Sequence, residues 1–285
     1  MFGICHQQSQ SAFEFQSEME SINYGDLILK RELGKGSFGE VWEATYKGNK
    51  VAVKAIIGDI QTNIAIVNEA HNLAKANHKN IIKLYGTTYH NDRSFLVMEY
   101  MAGGSLWHLL HQQKNKKYEL TDSVRWLTQA AEALAYLISE IGVHRDVKPQ
   151  NMLLDAEQKN LKICDFGMVR KVATFMTNKR GTAVYMAPEV FNGCKYSDKC
   201  DVYSLGISMW EVFVRKVPYS GVDVTGNADL LIEIDMKNLR PSLTDLAKSE
   251  CPMNIQTLIK KCWDKEPNVR PSMQEIVDEL KSTKL

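Results

Sequence analysis

The chain has 285 residues, 44% hydrophobic and 24% charged, ordinary globular usage for roughly two domains at about 150 residues each, with no need of disulfide staples. Lysine and arginine (35) nearly balance aspartate and glutamate (34), leaving +1. No net field therefore draws the chain to nucleic acid or to an anionic membrane.

The opening stretch has neither the basic start nor the long apolar run of a secretory signal, and no glycine follows Met1 for myristoylation. No apolar run approaches the roughly 18 residues that a membrane span requires, so the expectation is a soluble, cytoplasmic chain without membrane partners. Residues 1–24 are rich in Gln, Ser and Glu without periodicity and read as a flexible tail, with room for a short ordered piece near Phe13 and Phe15. Alternating apolar residues then predict strands at 27–31, 39–46 and 50–56, broken by Gly34, Gly36 and the turn Lys47-Gly48-Asn49. A helix is predicted over 64–76 from Ile66, Ala70 and Leu73, followed by strands at 82–89 and 94–100. Beyond a seam near 101–104 the periodicity becomes helical. Val124, Leu127, Ala131, Leu134 and Ile138 form one stripe of a helix over 121–139, with Thr121 or Asp122 to cap it. Further helices are predicted over 201–215, 254–261 and 272–281, the last starting at Pro271-Ser272 with Glu275 in its first turn. The outcome is an α+β chain, strand-rich over 25–101 and helical over 102–285. Six scattered cysteines show no CxxC spacing and read as free thiols in a reducing compartment, not as zinc ligands.

Four motifs carry chemistry. Leu33-Gly34-Lys35-Gly36-Ser37-Phe38-Gly39-Glu40-Val41 spaces its glycines so that backbone N–H groups can approach phosphate oxygens. Alone this fits a dinucleotide fold, a nucleotide-covering hairpin or a structural turn, and the alternation after Gly39 favours the hairpin. Val51-Ala52-Val53-Lys54 ends an apolar strand on an ammonium, either a surface lysine or a cleft lysine that needs anionic partners; Glu69, on the following helix, is the candidate carboxylate. In His144-Arg145-Asp146-Val147-Lys148-Pro149-Gln150-Asn151 an aspartate can accept a hydroxyl proton, a lysine can neutralise a transferring phosphoryl group and an asparagine can hold a divalent cation. Asp165-Phe166-Gly167, after the apolar run 161–164, offers a second oxygen ligand for Mg2+.

With Met186-Ala187-Pro188-Glu189, Asp201-Val202-Tyr203-Ser204-Leu205-Gly206 and Arg270-Pro271, this ordered set makes residues 27–281 resemble a eukaryotic protein kinase domain. The resemblance implies a bilobal fold, with a small antiparallel five-stranded N-lobe carrying one helix and a larger, mostly helical C-lobe, and it implies ATP and Mg2+. It assigns residues 33–41 to cover ATP, and Val41, Ala52 and Leu153 to sandwich the adenine. Glu99 and Met101 would line the hinge, with Met98 guarding the pocket behind it. Lys54 would hold the α/β-phosphates beside Glu69, Asp146 would act as base, Lys148 would stabilise the γ-phosphoryl, and Asn151 and Asp165 would hold the metal. Glu189 and Arg270 would form a structural ion pair, and Leu73, Leu84, His144 and Phe166 would stack as an internal spine anchored by Asp201.

Lys148, with Thr182 in Gly181-Thr182-Ala183-Val184-Tyr185, resembles the serine/threonine-specific members, where tyrosine-specific ones carry Ala and Arg in the catalytic loop. Thr174, Thr177 and Thr182 are candidates for regulatory phosphorylation, Thr174 or Thr177 by pairing a phosphate with Arg145. Several stretches, among them Phe175-Met176-Thr177-Asn178 and Leu96-Val97-Met98-Glu99-Tyr100, are similar to transforming-growth-factor-β-activated kinases of the mitogen-activated protein kinase kinase kinase group. That likeness implies kinase kinases as protein substrates, an activating adaptor on the kinase domain, and a monomer. Tyr185 departs from the tryptophan common before Met-Ala-Pro-Glu. The alternative of another class is a pseudokinase-like scaffold that binds partners without turnover. Lys54, Asp146, Asn151 and Asp165, where such proteins usually carry a substitution, are all present.

Overall fold

Alternation of apolar side chains in the first third of the chain builds a five-stranded antiparallel sheet: β1 (Leu27–Gly36), β2 (Gly39–Tyr46), β3 (Asn49–Ile56), β4 (Leu84–His90) and β5 (Arg93–Glu99). Its order is β1-β2-β3-β5-β4. A computed structural model describes residues 21–36, 39–56, 69–166, 183–193, 197–223 and 226–284. The chain divides into two compact units, one of Met1–Asn77, Ile81–Met101 and Asp165–Val169, the other of His78–Asn80, Ala102–Cys164 and Arg170–Leu285.

In the first unit Leu27, Ala44, Val51, Val53, Ala55, Phe95 and Val97 are buried together on the sheet. Gly34 and Gly36 do not end β1, as the glycine signals suggest. The strand runs through them with register shifts between Leu29 and Glu32 and between Glu32 and Gly34, because a bulge absorbs the irregularity while pairing to β2 continues. Helical structure is described over 69–75, inside the predicted helix. Residues 21–24, read from sequence as the end of a tail, pack on the sheet. Ile22 is buried and donates its N–H to Thr87 O at 2.9 Å, while Tyr24 stacks on His90 with ring centroids 4.0 Å apart.

The second unit is mostly helical: α1 (Leu106–His111), α2 (Leu120–Glu140), α3 (Pro188–Phe191), α4 (Lys199–Val214), α5 (Asn227–Met236), α6 (Leu243–Lys248), α7 (Met253–Cys262) and α8 (Met273–Ser282). A small sheet of β6 (Gly104–Ser105), β7 (Met152–Leu154) and β8 (Leu161–Ile163) accompanies them. Val124, Leu127, Ala131 and Leu134 of α2 are buried as their spacing predicts. The helix starts one residue earlier than expected, at Leu120, and its cap is Glu119, whose N–H donates to Asp122 Oδ2 at 3.0 Å; Asp122 therefore sits inside the capping box, not at its head. The cap of α8 is the predicted one, Ser272 Oγ accepting from Glu275 N–H.

Helix α4 is apolar on nearly every side and buried over Cys200–Val212, the signature of a central helix. At Gly206 a Cβ would lie 2.7 Å from Cys262 Cβ of α7, so only glycine permits that approach. Arg270 is fully buried and bidentate to Glu189, at 2.6 and 2.8 Å. Among the described residues no helix is long and apolar enough to cross a membrane.

Candidate active site

The predicted site residues fall into both units. In the first, the β1–β2 hairpin pairs Gly34 with Val41, Lys35 with Glu40 and Gly36 with Gly39, and Lys35 Nζ contacts Glu40 Oε1 at 2.7 Å. Gly39 has φ +138°, a left-handed conformation that favours glycine. Leu33 is 41% exposed on β1. Ser37 and Phe38 lie outside the described residues, as do Thr174, Thr177 and Thr182. Across β2, β3 and β5, Val41 opposes Lys54 and Ala52 opposes Met98. Directly opposed side chains share a face, and residues two apart on a strand share it too, so Val41, Ala52, Lys54 and Met98 line one face of the sheet. Glu99 closes β5 with its N–H on Lys83 O at 2.9 Å, and Met101 just beyond is buried.

Lys54 is the centre of this half. Its Nζ bonds both Glu69 oxygens at 2.8 Å and Asp165 Oδ1 at 3.0 Å. Lys54 and Glu69 are 7% and 2% exposed, which decides between a surface and a partnered lysine. Burial alone would lower the lysine's pKa, but Asp165 and then Glu69 outweigh it and hold the ammonium protonated, above its ordinary range. Burial and the nearby Asp165 charge raise the Glu69 carboxyl against the pull of Lys54. Asp165 adopts φ +67°, an uncommon conformation for a non-glycine residue that concentrates at functional sites. Phe166 beside it is completely buried.

In the second unit residues 144–151 form a loop gripped from several sides. Asp201 of α4 accepts the N–H of His144 at 2.6 Å on one oxygen and that of Arg145 at 2.8 Å on the other. Those two bonds hold Arg145 at φ +69°, a second left-handed residue one position before Asp146. The Asp146 carboxylate is 6% exposed, with Lys148 Nζ 2.7 Å from Oδ2 and Asn151 Nδ2 2.9 Å from the same oxygen. Asn151 Nδ2 also donates to Asp146 O at 2.8 Å, which directs its oxygen away as a potential ligand. Leu153 lies on β7, paired with Ser105 and Lys162.

A carboxylate and an amide oxygen are hard donors, the type Mg2+ takes. No cluster of three or more His, Cys, Asp or Glu among the described residues could hold a metal unaided. Glu211 of α4, which meets His111 Nε2 on one oxygen and accepts the Tyr185 hydroxyl on the other, both at 2.7 Å, escaped the motif reading. The signal was present in the sequence, since Glu211 is the one acidic residue in the apolar run 202–214.

Residues 27–280 match the protein tyrosine and serine/threonine kinase family. The chain is 41% identical over 259 residues to mitogen-activated protein kinase kinase kinase 7 of Drosophila melanogaster, covering 90% of this chain and 37% of that protein. It is 40% identical over 262 residues to the Homo sapiens and Bos taurus proteins of the same name, covering 90% of this chain and 42% and 44% of theirs. The chain thus spans less than half the length of these curated relatives. With a family match over residues 27–280, most of its length, this chain belongs to the protein tyrosine and serine/threonine kinase family.

Proposed function

We propose that the chain is an ATP-dependent serine/threonine protein kinase that acts, like the mitogen-activated protein kinase kinase kinases it resembles, on activation-loop hydroxyls of kinase kinases in a stress- or immune-type cascade. The observation that carries this reading is the buried bidentate contact of Lys54 with Glu69 at 2.8 Å. A lysine held in this way presents a fixed positive charge to phosphates without competing rotamers. The glycine hairpin covers the triphosphate, and Val41, Ala52, Leu153, Met98, Glu99 and Met101 receive the adenine. Mg2+, on Asn151 and Asp165, neutralises phosphate charge when bound. Asp146 orients the substrate hydroxyl and accepts its proton, while Lys148 stabilises the charge on the transferring phosphoryl group.

Lys148 and Thr182 support serine or threonine over tyrosine. Thr174, Thr177 and Thr182 remain the proposed phosphorylation sites, and the proposed setting is a cytoplasmic monomer with an activating adaptor. The test is Mg2+-dependent transfer of labelled phosphate from ATP to inactive kinase kinases, with acid hydrolysis to identify the phosphoamino acid. Phosphoserine or phosphothreonine well above an Asp146→Ala control is the expected result. Incorporation equal to that control would favour the scaffold reading, and phosphotyrosine alone would overturn the specificity.

A further inference from the structure

Outside the motifs, β2 carries a buried carboxylate. Glu43 opposes Ala52 across β2 and β3, so its side chain shares the face that carries Val41, Ala52, Lys54 and Met98. It is 5% exposed. A position this deep on a strand is ordinarily apolar, and a charge placed there needs donors.

Three donors reach it, each from a different stretch of the first unit. Arg31 of β1 donates its Nε–H to Glu43 Oε2 at 2.8 Å. The Tyr100 hydroxyl, one residue past the end of β5, donates to the same oxygen at 3.3 Å. Lys50 Nζ of β3 lies 3.5 Å from Oε1. The donors are also joined to one another. Arg31 Nη2 donates to the Tyr100 hydroxyl oxygen at 3.3 Å, and Lys50 Nζ stands 5.7 Å from the centre of the Tyr100 ring. The Arg31 hydrogen bond, against a smaller desolvation, holds the Glu43 carboxyl below its ordinary range. The Arg31 and Lys50 side chains are 69% and 63% exposed, which makes the buried carboxylate the fixed point of the cluster.

Its place in the sheet gives the cluster a task. Arg31 sits in the register shift between Leu29 and Glu32, where pairing of β1 to β2 is interrupted. The ion pair therefore fastens the two strands where the backbone ladder does not. Both strands run on into the glycine hairpin that closes with Gly36 opposite Gly39. Tyr100 stands between Glu99 and Met101, the two residues that the adenine reading places at the hinge. One carboxylate oxygen thus joins the root of the hairpin to the hinge.

We infer that Glu43, Arg31 and Tyr100 are positioning residues, a carboxylate-centred brace that fixes the spacing between the glycine hairpin and the hinge and so sets how tightly the adenine nucleotide is held. The inference rests on the kinase reading above.

The test is titration of the full chain with a fluorescent ATP analogue and Mg2+, with peptide kinetics at saturating ATP in parallel. Glu43→Ala removes the shared acceptor and should weaken analogue binding about tenfold. Tyr100→Phe removes only a hydroxyl, keeps the ring, and should weaken it about threefold. The peptide KM should stay within about twofold of wild type in both. Because the two side chains act through one brace, the double variant should bind within about twofold of Glu43→Ala. Arg31→Ala should fall between the single variants and takes the place of Glu43→Ala if that protein does not fold. Unchanged analogue binding, effects that multiply in the double variant, or an equal rise in the peptide KM would each overturn the inference. A wild type that takes up no analogue would mark failure of the kinase reading itself and take the inference with it.

Discussion

The two units fix their reactive groups by opposite means. In the sheet unit Lys54, Glu69 and Asp165 come from three distant stretches of chain and hold one another by charge, Lys54 bonding both carboxylates within 3.0 Å. In the helical unit the reactive groups lie within one eight-residue loop, and backbone N–H groups of that loop are captured by Asp201 from the central helix. The first arrangement is an ion cluster whose geometry depends on protonation and on whatever cation or phosphate joins it. The second is a hydrogen-bonded clasp, holding Arg145 in a conformation it would not choose alone. Electrostatics prepares the first half and backbone geometry the second.

Substitutions should separate these modes. Asp146→Ala removes the proposed base and should lower kcat about a thousandfold, with the ATP KM near wild type. Lys54→Ala, in the sheet unit, should also reduce turnover a hundredfold or more, but with weakened nucleotide binding measured by titration of a fluorescent ATP analogue. Similar ATP affinities for the two variants would break the division of labour between the halves.

Next in size is Arg270→Ala, which strands the Glu189 carboxylate and should cost about 3–5 kcal/mol in urea unfolding. Four of the five tryptophans, all but Trp42, lie in the helical unit, so intrinsic fluorescence should report that loss directly. Asp201→Ala leaves two loop N–H groups without their acceptor and should cost about 2–4 kcal/mol. It should also reduce turnover more than Arg270→Ala does in the folded fraction, because Asp201 sets the loop and Arg270 does not.

The smallest effect is on pH. His78 Nδ1 accepts the Asn80 N–H at 3.1 Å and its ring stacks on Tyr136. Burial, aided by Lys79 and Lys162 against Glu132, lowers its pKa below the ordinary 6.5. The unfolded chain therefore takes up this proton more readily, so the stabilisation is full above about pH 6.5 and declines as pH falls through the folded-state value. The Tm difference between wild type and His78→Gln should shrink between pH 7.5 and 5.5. A constant difference would remove His78 from the pH dependence.

Legibility in the sequence followed the range of the interactions. Period-two and period-3.6 patterns located all five strands of the larger sheet and the cores of α2, α4, α7 and α8, since burial of one face is written in neighbouring residues. The proposed reactive groups were named from the sequence because short spacings carry their chemistry. The short helices α1, α3 and α6 and the sheet β6–β8 were not, because helices of four to six residues and strands of two or three are held by tertiary contacts, not by their own periodicity; α5, ten residues long, was missed as well. The capping of α2 by Glu119 was missed because Thr121 and Asp122 are the commoner capping types. The link from Glu211 to His111 spans 100 positions, and only the folded chain brings its ends together.

The spacing of polar groups along α4 makes that helix a ruler with fixed graduations. Each added residue turns an α-helix by about 100°, so one alanine inserted between Ser204 and Glu211 would swing the Glu211 side chain toward an apolar wall and remove it from both of its partners. The same insertion leaves Asp201 in place. Such a protein would keep a correctly wound catalytic loop and the Ser204 bond to the Tyr185 carbonyl, while the Tyr185 hydroxyl loses its carboxylate acceptor, uncoupling the two grips that an unbroken helix keeps in phase.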